Sequence, residues 1–257
     1  SNAIFSASMR KPGKRGNPRM NLLIIRPEDL SPERRFTVTG ERAEHIRTVL
    51  RAKIGDPVKT GFLNGKTGVS TLLELEKGRA VLEAGVFTAE PPKPLPLSLI
   101  VSLPRPQSFK KVLHFAVSSG IKQIIFTHSA KVEKSYWNST VLAPESIHAE
   151  VIEGLEQGFD TVMPEIRFYR YLKEFFADAE TLFPPDSLKI IAHPGRSAET
   201  LPSGASHTVL AIGPEGGYVN SEVEAFASAG FIPAAFGSHI LRVEFAAAFI
   251  AGFLMHR

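Results

Sequence analysis

A proline-rich segment divides this chain into two halves of different character. Residues 91–96 are Pro-Pro-Lys-Pro-Leu-Pro, and four prolines in six residues favour a stiff, extended linker. Before this linker, short apolar runs are separated by tight turns, whereas after it strand-like and helix-like segments alternate. Because 257 residues are enough for two modest cores, the pattern predicts two domains, over residues 20–90 and 97–257.

The half before the linker is typical of a small β-barrel or sandwich. An Asn64-Gly65 turn joins two of its predicted strands in a hairpin. A helix with Thr39 as its cap is expected over residues 39–51. The predicted strands of this half span residues 22–26, 58–63, 69–75 and 80–87.

The half after the linker predicts an α/β domain with a mostly parallel sheet, because strands and helices alternate along it. The predicted strands span residues 97–103, 123–127, 189–193, 208–212 and 232–236. The predicted helices span residues 108–119, 144–157, 220–229 and 243–255.

Two glycine-bearing loops follow the last two predicted strands. Residues 212–217 are Ile-Gly-Pro-Glu-Gly-Gly, and residues 237–244 are Gly-Ser-His-Ile-Leu-Arg-Val-Glu. Glycine allows positive φ and close backbone approach, so the first loop suits a ligand held by backbone amides, although an ordinary strand-to-helix turn fits the same residues. The spacing matches neither the dinucleotide fingerprint nor the Walker loop. Loops at the ends of neighbouring strands can build one ligand site.

Arg242 and Glu244 lie at the start of the last predicted helix, which is otherwise apolar. A charged pair in that position needs a reason, because burying a charge is costly. One interpretation is a capping carboxylate paired with a structural arginine, since Glu244 suits a helix amino terminus. The other is that Arg242 steadies negative charge that develops on a substrate.

Neither a metal ion nor a membrane is expected as a partner. The chain has no cysteine, which excludes disulfides, thiolate nucleophiles and cysteine-bound metals and fits a reducing, cytoplasmic compartment. No apolar run reaches the length of a membrane span. One predicted helix carries several potential metal ligands, which a solvated face explains better: His148, Glu150, Glu153 and Glu156.

Positive charge is concentrated in the first half of the chain. Residues 1–93 hold 17 lysines and arginines against 10 acidic residues, in a chain whose net charge is +4. Such a half can face a polyanion, but five of these cations lie within residues 1–19. Ser1-Asn2-Ala3 resembles a cloning scar, and residues 4–19 are expected to be a flexible basic tail. We expect Met20 to be at or near the natural start.

The two loops together resemble a known family. Ile212-Gly213-Pro214-Glu215-Gly216-Gly217 with Glu222, followed by Gly237, Ile240-Leu241-Arg242 and Glu244, is similar to the ribosomal small-subunit RNA methyltransferase E family of the SPOUT superfamily. His45-x-x-x-Val49-Leu50-Arg51 with Gly55-Asp56 is similar to the opening domain of that family. The resemblance extends in order from Met20 to the end of the sequence and includes the linker.

The resemblance implies a fold and a cofactor. The fold is a PUA-like β-barrel over residues 20–90, then a SPOUT α/β domain with a trefoil knot over residues 97–257, which forms a homodimer. The cofactor is S-adenosylmethionine in a bent form, held by the two loops. The implied cofactor-binding residues are Ile212, Gly213, Pro214, Glu215, Gly216, Gly217, Gly237, Ile240, Leu241 and Ala246.

The resemblance also implies a reaction, the methylation of N3 of a uridine in 16S RNA. N3 of uracil is a weakly acidic imide, and a nearby cation stabilises the anion that forms when it loses its proton. Arg242 is predicted to supply that cation or to guide the RNA, and Glu244 to orient Arg242. Arg47, Arg51 and Lys53 are predicted to contact RNA phosphates, although solubilising charge explains them equally well.

Four positions depart from the usual residues of the family: Phe115 and Ser118 in the helix after the linker, Asp160 after the next helix, and Phe245 in the last helix. Two alternatives to the leading hypothesis therefore stay open. One is a non-catalytic RNA-binding protein with the same fold. The other is a methyltransferase that acts on tRNA or another large RNA.

Overall fold

The computed structural model describes residues 22–256 and divides them into two compact units. One unit holds residues 22–62 and 67–88, and the other holds residues 63–66 and 89–256. The predicted cloning scar and basic tail, over residues 1–19, and the predicted start at Met20 lie outside the described residues.

The first unit contains a five-stranded sheet. Its strands are β1 (Leu23–Ile25), β2 (Arg35–Thr39), β3 (Pro57–Phe62), β4 (Thr67–Glu76) and β5 (Arg79–Ala84). They lie in the order β1-β3-β4-β5-β2, and every neighbouring pair is antiparallel except β1 with β3. The predicted β-rich first half is therefore confirmed, together with the hairpin between β3 and β4. Buried apolar side chains from all five strands, among them Leu23, Phe36, Val58, Leu72 and Leu82, share one core.

The helix of the first unit differs from the prediction. It begins as α1 (Gly40–Glu44) and continues as a π-helical turn over His45–Val49. Thr39 ends β2 and occupies the N-cap position of the helix, as predicted, but its side chain makes no hydrogen bond to the helix. Arg51 lies beyond the helix with a φ of 50°, in the left-handed region that most side chains avoid.

The second unit contains a six-stranded sheet in which every neighbouring pair is parallel. Its strands are β6 (Leu97–Ser102), β7 (Gln123–Thr127), β8 (Glu165–Tyr169), β9 (Leu188–Ser197), β10 (Thr208–Ile212) and β11 (Ile232–Ala235), in the order β11-β9-β10-β6-β7-β8. Its α-helices are α2 (Pro106–Ser118), α3 (Pro144–Gly158), α4 (Leu172–Leu182), α5 (Asn220–Ser228) and α6 (Val243–Met255). The predicted α/β class with a mostly parallel sheet is confirmed.

Burial explains why the central strands form. Every residue of β6 and of β10 is buried, as expected for parallel strands that are covered on both faces. Several aromatic side chains pack in the core of this unit, with Phe226 in contact with Phe175, Tyr218 and Phe231. This core fixes the ends of the strands, from which the loops described below project.

Two of the departures from the family pattern lie near the close packing of α2 against α3. A Cβ added to Gly158 would come within 2.5 Å of the Ser118 carbonyl oxygen, so the two helices approach closely at this point. Asp160 is buried, and one of its carboxylate oxygens lies 2.6 Å from Lys122 Nζ. Ser118 therefore contributes to the packing of α2 against α3, and Asp160 forms an internal ion pair with Lys122.

Within residues 22–256, no helix combines the length and the apolar character needed to cross a membrane.

Candidate active site

A cavity of about 670 Å³ lies in the second unit, beside residues that follow the carboxyl ends of β6, β7, β10 and β11. The carboxyl ends of parallel strands meet at one edge of a sheet, which brings together loops that are distant in sequence. Residues of both signs of charge line the cavity, which suits a polar ligand. Its walls are formed by Arg105, Pro106, Gln107, Ser108, Lys111, Tyr136, Glu215, Arg242 and Glu244.

The first glycine loop is a tight turn after β10. The Gly217 amide donates to the Pro214 carbonyl over 2.8 Å, and Gly217 has a φ of 69° that favours glycine. Lys131 Nζ donates to the Gly216 carbonyl over 2.7 Å, so the segment after β7 also holds this loop. The loop is therefore fixed from within and by the segment that follows β7.

Tyr218 anchors the loop to the strand before it. Its buried hydroxyl donates to the Ile212 carbonyl over 3.0 Å. Burial raises the pKa of the Tyr218 phenol far above its usual value. A Cβ added to Gly213 would lie 3.1 Å from the Tyr218 amide nitrogen, closer than side chains usually come, so a small residue is needed there. Ile212 itself is buried in the core.

Glu222 joins the start of α5 to the segment after β7. One carboxylate oxygen accepts from the Val219 amide over 2.9 Å, and the other accepts from the Ala130 amide over 2.7 Å. Acceptance from an amide at a helix amino terminus satisfies a donor that the helix leaves unpaired. Glu222 thus fixes the position of the segment at residues 128–138 relative to the glycine loop.

Glu215 faces the turn after β6. Its Oε1 accepts from the Arg105 amide over 3.1 Å and lies 3.9 Å from Arg105 Nε. Arg105 and Glu215 therefore bridge two loops across the cavity.

Glu244 is the buried acid of the cavity, with only 6% of its surface exposed. Its Oε1 lies 3.4 Å from Lys111 Nζ. Burial raises the pKa of the Glu244 carboxyl, but hydrogen bonds from its own backbone, Ser108 and Lys111 outweigh that effect and hold the pKa below its ordinary value. Its Oε2 is buried and has no hydrogen-bond partner among the described residues.

Arg242 precedes α6 and is exposed at the cavity wall. Within residues 22–256 it forms no ion pair, and Glu244 pairs with Lys111 instead. The structure therefore does not bring Glu244 to Arg242 as its orienting partner. An arginine without an acid partner at a cavity wall is available to an anionic ligand.

The second glycine loop presents apolar side chains to solvent. Gly237 has a φ of 110°, and Ile240 is 99% exposed. Leu241 is partly exposed, and Ala246 is half-buried in the first turn of α6. An isoleucine with almost no protein neighbours is unusual and points to a surface that another molecule covers.

Of the site residues predicted in the second unit, Glu215, Arg242 and Glu244 line the cavity. The others lie in the same two loops, except Ala246, which lies in the first turn of α6. Sequence reasoning missed Arg105, Ser108, Lys111 and Tyr136. Arg105 and Tyr136 follow the carboxyl ends of β6 and β7, a position that marks ligand contacts in parallel sheets. Ser108 and Lys111 lie one helical turn apart on the first part of α2, where spacing of three residues places side chains on one face.

The predicted RNA contacts of the first unit lie on its surface. Arg47 pairs with Glu44 in the same helix, with Arg47 Nε 3.0 Å from a carboxylate oxygen of Glu44. Glu44 also accepts from the Gly78 amide over 2.6 Å. Arg51 and Lys53 are exposed just beyond the helix. The cationic charge of Arg47 is thus compensated, whereas the side chains of Arg51 and Lys53 have no acidic partner among residues 22–256; only the backbone amide of Lys53 donates to Asp56.

One group of potential metal ligands comes together between α2 and α3. Ligand atoms of His114, Glu150 and Glu153 lie within 4.8 Å of one another, and His114 Nδ1 lies 3.3 Å from Glu150 Oε1. The group includes His114, which the sequence pattern did not select. Acidic clusters on helix surfaces are common, and we assign no metal-binding role to it.

The fold and the cavity together define a class of protein: an α/β protein with a parallel sheet, a polar ligand cavity beside the carboxyl ends of its strands and a separate β-rich unit. Comparison with known protein families identifies the family within this class. Residues 91–255 match the family described as RNA methyltransferase domain. The chain therefore belongs to that family, and the family predicted from the two loops is confirmed.

The similarity to named relatives extends over most of the chain. A protein of Borreliella burgdorferi named ribosomal RNA small subunit methyltransferase E 1 is 26% identical over 228 residues, which cover 88% of this chain and 93% of that protein. A Treponema pallidum protein named ribosomal RNA small subunit methyltransferase E is 29% identical, over 79% of this chain and 78% of that protein.

Solved structures share the fold. The crystal structure of ribosomal RNA small subunit methyltransferase E from Neisseria gonorrhoeae bound to S-adenosyl methionine has a TM-score of 0.68 and 23% identity, covering 93% of this chain and 98% of that one. A putative methyltransferase from Legionella pneumophila in complex with the same cofactor has a TM-score of 0.72 and 21% identity, with the same coverage.

Proposed function

We propose that this chain is an S-adenosylmethionine-dependent methyltransferase that methylates N3 of a uridine in the 16S RNA of the small ribosomal subunit. Membership of the RNA methyltransferase family supports methyl transfer to RNA, and the names of the relatives support a ribosomal target. The observation that carries the proposal is one cavity that unites Glu215 of the first glycine loop with Arg242 and Glu244. A ribosomal substrate is consistent with the cytoplasmic location that the sequence predicts.

The residues beside the cavity fit S-adenosylmethionine. Gly217 has open space beside it in the first loop, and the exposed Ile240 and Leu241 offer apolar cover for an adenine ring. The unpartnered Oε2 of Glu244 can accept a hydrogen bond from a ligand. The residues that would hold the cofactor are Ile212, Gly213, Pro214, Glu215, Gly216, Gly217, Gly237, Ile240, Leu241 and Ala246.

The side chains of the cavity suit methylation of a weakly acidic nitrogen. When bound, the cofactor supplies a methyl group on a positively charged sulfur. As N3 of the uridine loses its proton to solvent, negative charge spreads over the uracil ring, and the exposed guanidinium of Arg242 is available to stabilise it. The methyl group would pass from that sulfur to N3, and the sulfur would be left as a neutral thioether. Lys111 compensates the charge of Glu244, so the buried acid does not repel the uracil anion.

The five-stranded unit is proposed to be a PUA-like barrel that binds RNA. Its predominantly antiparallel sheet and its enclosed apolar core support this assignment. Arg51 and Lys53 are the cations most available to phosphates, and Arg47 can contribute if its pair with Glu44 opens.

The second unit is proposed to contain a trefoil knot and to form a homodimer. The position of β9 between β10 and β11 and the similarity to solved methyltransferase structures support the knot. Exposed apolar side chains support the dimer: Phe245 is 58% exposed and Phe249 is 54% exposed, one turn apart on α6. Two such rings on one helix face favour burial against a second copy.

The non-catalytic alternative depended on four unusual positions, and none of them lines the cavity. Ser118 and Asp160 serve packing and internal pairing, Phe115 is half-buried on α2, and Phe245 lies on the exposed face of α6. Their locations therefore favour a catalytically active protein over the non-catalytic alternative.

Methyl transfer from radiolabelled S-adenosylmethionine, followed by nucleoside analysis, tests the proposal. Small ribosomal subunits that lack this modification, total tRNA and buffer alone are supplied in parallel. We expect label in 3-methyluridine from 16S RNA. Label only in tRNA would support the alternative substrate, and RNA binding without any labelled nucleoside would support the non-catalytic protein. Arg242→Gln, compared with Lys110→Gln on an exposed position of α2 that does not line the cavity, tests whether the signal arises there.

A further inference from the structure

A row of aromatic rings runs from the core of the second unit to its surface at the edge strand β8. Phe126 of β7 is fully buried and stacks with Phe168 of β8 at 5.3 Å between ring centroids, with 20° between the ring planes. Phe168 is partly exposed and meets the ring of Trp137 edge to face at 6.4 Å. The outermost rings are therefore held in place by buried ones.

Trp137 is fixed by two polar neighbours. Its indole Nε1 donates to His128 Nδ1 over 2.9 Å, and the guanidinium carbon of Arg170 lies 5.2 Å from the centroid of its ring. The first contact sets the orientation of the indole, and the second is a cation–π interaction. Tyr171 follows Arg170, is exposed, and has Lys173 Nζ 5.6 Å from its ring centroid.

The cations of this region lack acidic partners. Among residues 22–256 neither Arg170 nor Lys173 forms an ion pair. An arginine on an indole face beside exposed aromatic rings and a second free cation forms a surface for flat, electron-rich groups that carry negative charge nearby. We call Trp137, Phe168, Arg170, Tyr171 and Lys173 the Trp137 cluster.

The Trp137 cluster adjoins the cavity. Tyr136 lines the cavity, and Trp137 is the next residue of the same short 3-10 helix, Lys134–Asn138. The segment that leads to this helix is tied to the first glycine loop by Lys131, which donates to Gly216, and to the start of α5 by Ala130, which donates to Glu222. The same segment therefore supplies one aromatic side chain to the cavity and one to the cluster.

We propose that the Trp137 cluster is a binding site for an unpaired nucleotide of the RNA, adjacent to the nucleotide that enters the cavity. The base stacks against the Trp137–Arg170 pair, and Arg170 and Lys173 contact the flanking phosphates. Stacking on aromatic side chains and on guanidinium groups is the usual way in which proteins hold splayed bases of single-stranded RNA. The assignment of this nucleotide as the neighbour of the methylated one rests on the proposed function. The stacking of a base on the cluster does not depend on that function.

Tryptophan fluorescence reports on this site alone, because Trp137 is the single tryptophan of the chain. The full chain is titrated with an adenosine oligoribonucleotide of about eight nucleotides, a length within the range that such sites accommodate, and with an abasic oligonucleotide of equal length and charge. We expect the base-bearing oligonucleotide to quench the emission at saturation. Quenching of equal size and affinity by the abasic oligonucleotide would overturn the proposal, because only phosphates would then be recognised.

Variants separate stacking from general charge. Arg170 is exposed, so the Arg170→Gln variant should fold normally. We expect this variant to bind the oligonucleotide at least about fivefold more weakly. Lys189→Gln is the matched control, because Lys189 forms a cation–π contact with Phe231 at 5.9 Å in the same unit, at the start of β9. Trp137→Leu, followed by fluorescence anisotropy of a labelled oligonucleotide, should weaken binding similarly. Equal affinities of the native chain, Arg170→Gln and Lys189→Gln would contradict the site.

The outcome is separable from that of the proposed function. If the native chain methylates RNA and Arg170→Gln does so with unchanged KM, the Trp137 cluster does not bind substrate RNA. If the native chain transfers no methyl group but distinguishes base-bearing from abasic oligonucleotides through Trp137, the cluster is an RNA site and the proposed reaction is wrong.

Discussion

Lys111 Nζ lies 3.4 Å from Oε1 of Glu244, and this contact joins α2 to the amino terminus of α6. Glu244 is almost fully buried and Lys111 is largely exposed, so the lysine brings compensating charge to an acid that the core would otherwise disfavour. The prediction that Glu244 orients Arg242 gives way here to a structural and electrostatic role for the acid.

Replacing Lys111 with methionine should destabilise the protein by about 1–3 kcal/mol at pH 7, because it leaves a buried carboxylate without its cation. The pKa of Glu244 is lowered in the folded chain, so its contribution is present above the ordinary carboxyl pKa and is lost as the pH falls through the lower folded value. Denaturant unfolding at pH 7 and at increasingly acid pH should therefore show that the destabilisation caused by Lys111→Met becomes smaller as the pH falls. Lys110→Met is the control, and an equal cost for both variants would exclude the pairing.

Gly217→Ala should weaken S-adenosylmethionine binding at least about tenfold, a loss of about 1.4 kcal/mol. Gly217 has a φ of 69° and open space around it, so an added methyl group strains only the backbone of the loop. Gly204→Ala imposes the same kind of strain, at a φ of 84°, in a loop that precedes β10. Titration calorimetry should show normal affinity for Gly204→Ala; equal losses in both variants would mean that the loop at Gly217 does not contact the cofactor.

Tyr218→Phe should cost about 1 kcal/mol at neutral pH, because the Ile212 carbonyl loses its donor. Burial raises the pKa of Tyr218, so above the ordinary phenol pKa of about 10 the unfolded chain releases this proton while the folded chain keeps it. The native chain should then lose stability with rising pH by up to about 1.4 kcal/mol per pH unit more than Tyr218→Phe. Parallel unfolding curves of the two proteins above pH 10 would refute the burial of the hydroxyl.

Phe249→Lys should convert a dimer into a monomer, because a charge replaces a large apolar side chain that is 54% exposed on α6. Sedimentation velocity measures the change in mass directly. Val86→Lys is the comparison, since Val86 is an exposed apolar residue of the other unit. A native chain that sediments as a monomer at micromolar concentration would remove the basis of the prediction.

Arg51→Gln should reduce RNA affinity more than Arg47→Gln does, because Glu44 already compensates Arg47. Each lost phosphate contact should also reduce the slope of log affinity against log salt by about 0.7–0.9. Binding isotherms at several salt concentrations give both quantities. Arg79→Gln, which removes a paired surface arginine, provides the reference, and an unchanged slope for Arg51→Gln would dismiss this residue as a phosphate contact.

The buried parts of the fold were the most predictable from sequence. The predicted bounds of β7, β10 and α6 agree with the structure residue for residue, because continuous apolar runs between turn-forming residues leave few alternatives. The elements β2, β8 and α4 were missed. β8 is an edge strand with only its last residue buried, so its sequence Glu-Ile-Arg-Phe-Tyr carries little periodic signal.

The candidate site was predictable where its residues are adjacent in sequence and hidden where they are not. Glu215, Arg242 and Glu244 belong to two recognisable loops. Lys111 is more than a hundred residues from Glu244, and only the packing of α2 beside α6 brings the two together. Pairing across such a distance depends on tertiary structure, which local patterns in a single sequence do not encode.

The order of the strands has a kinetic consequence. Two of the loops that meet at the cavity follow β10 and β11, but β9 lies between those two strands in the sheet. β11 therefore pairs with β9 and not with β10, the strand that precedes it in sequence. Pairing between segments that are not adjacent in sequence slows folding, because chain entropy is lost before the contact forms. We expect refolding to restore helical structure early and ligand affinity late, so that a freshly refolded chain is compact before it is able to bind its ligand.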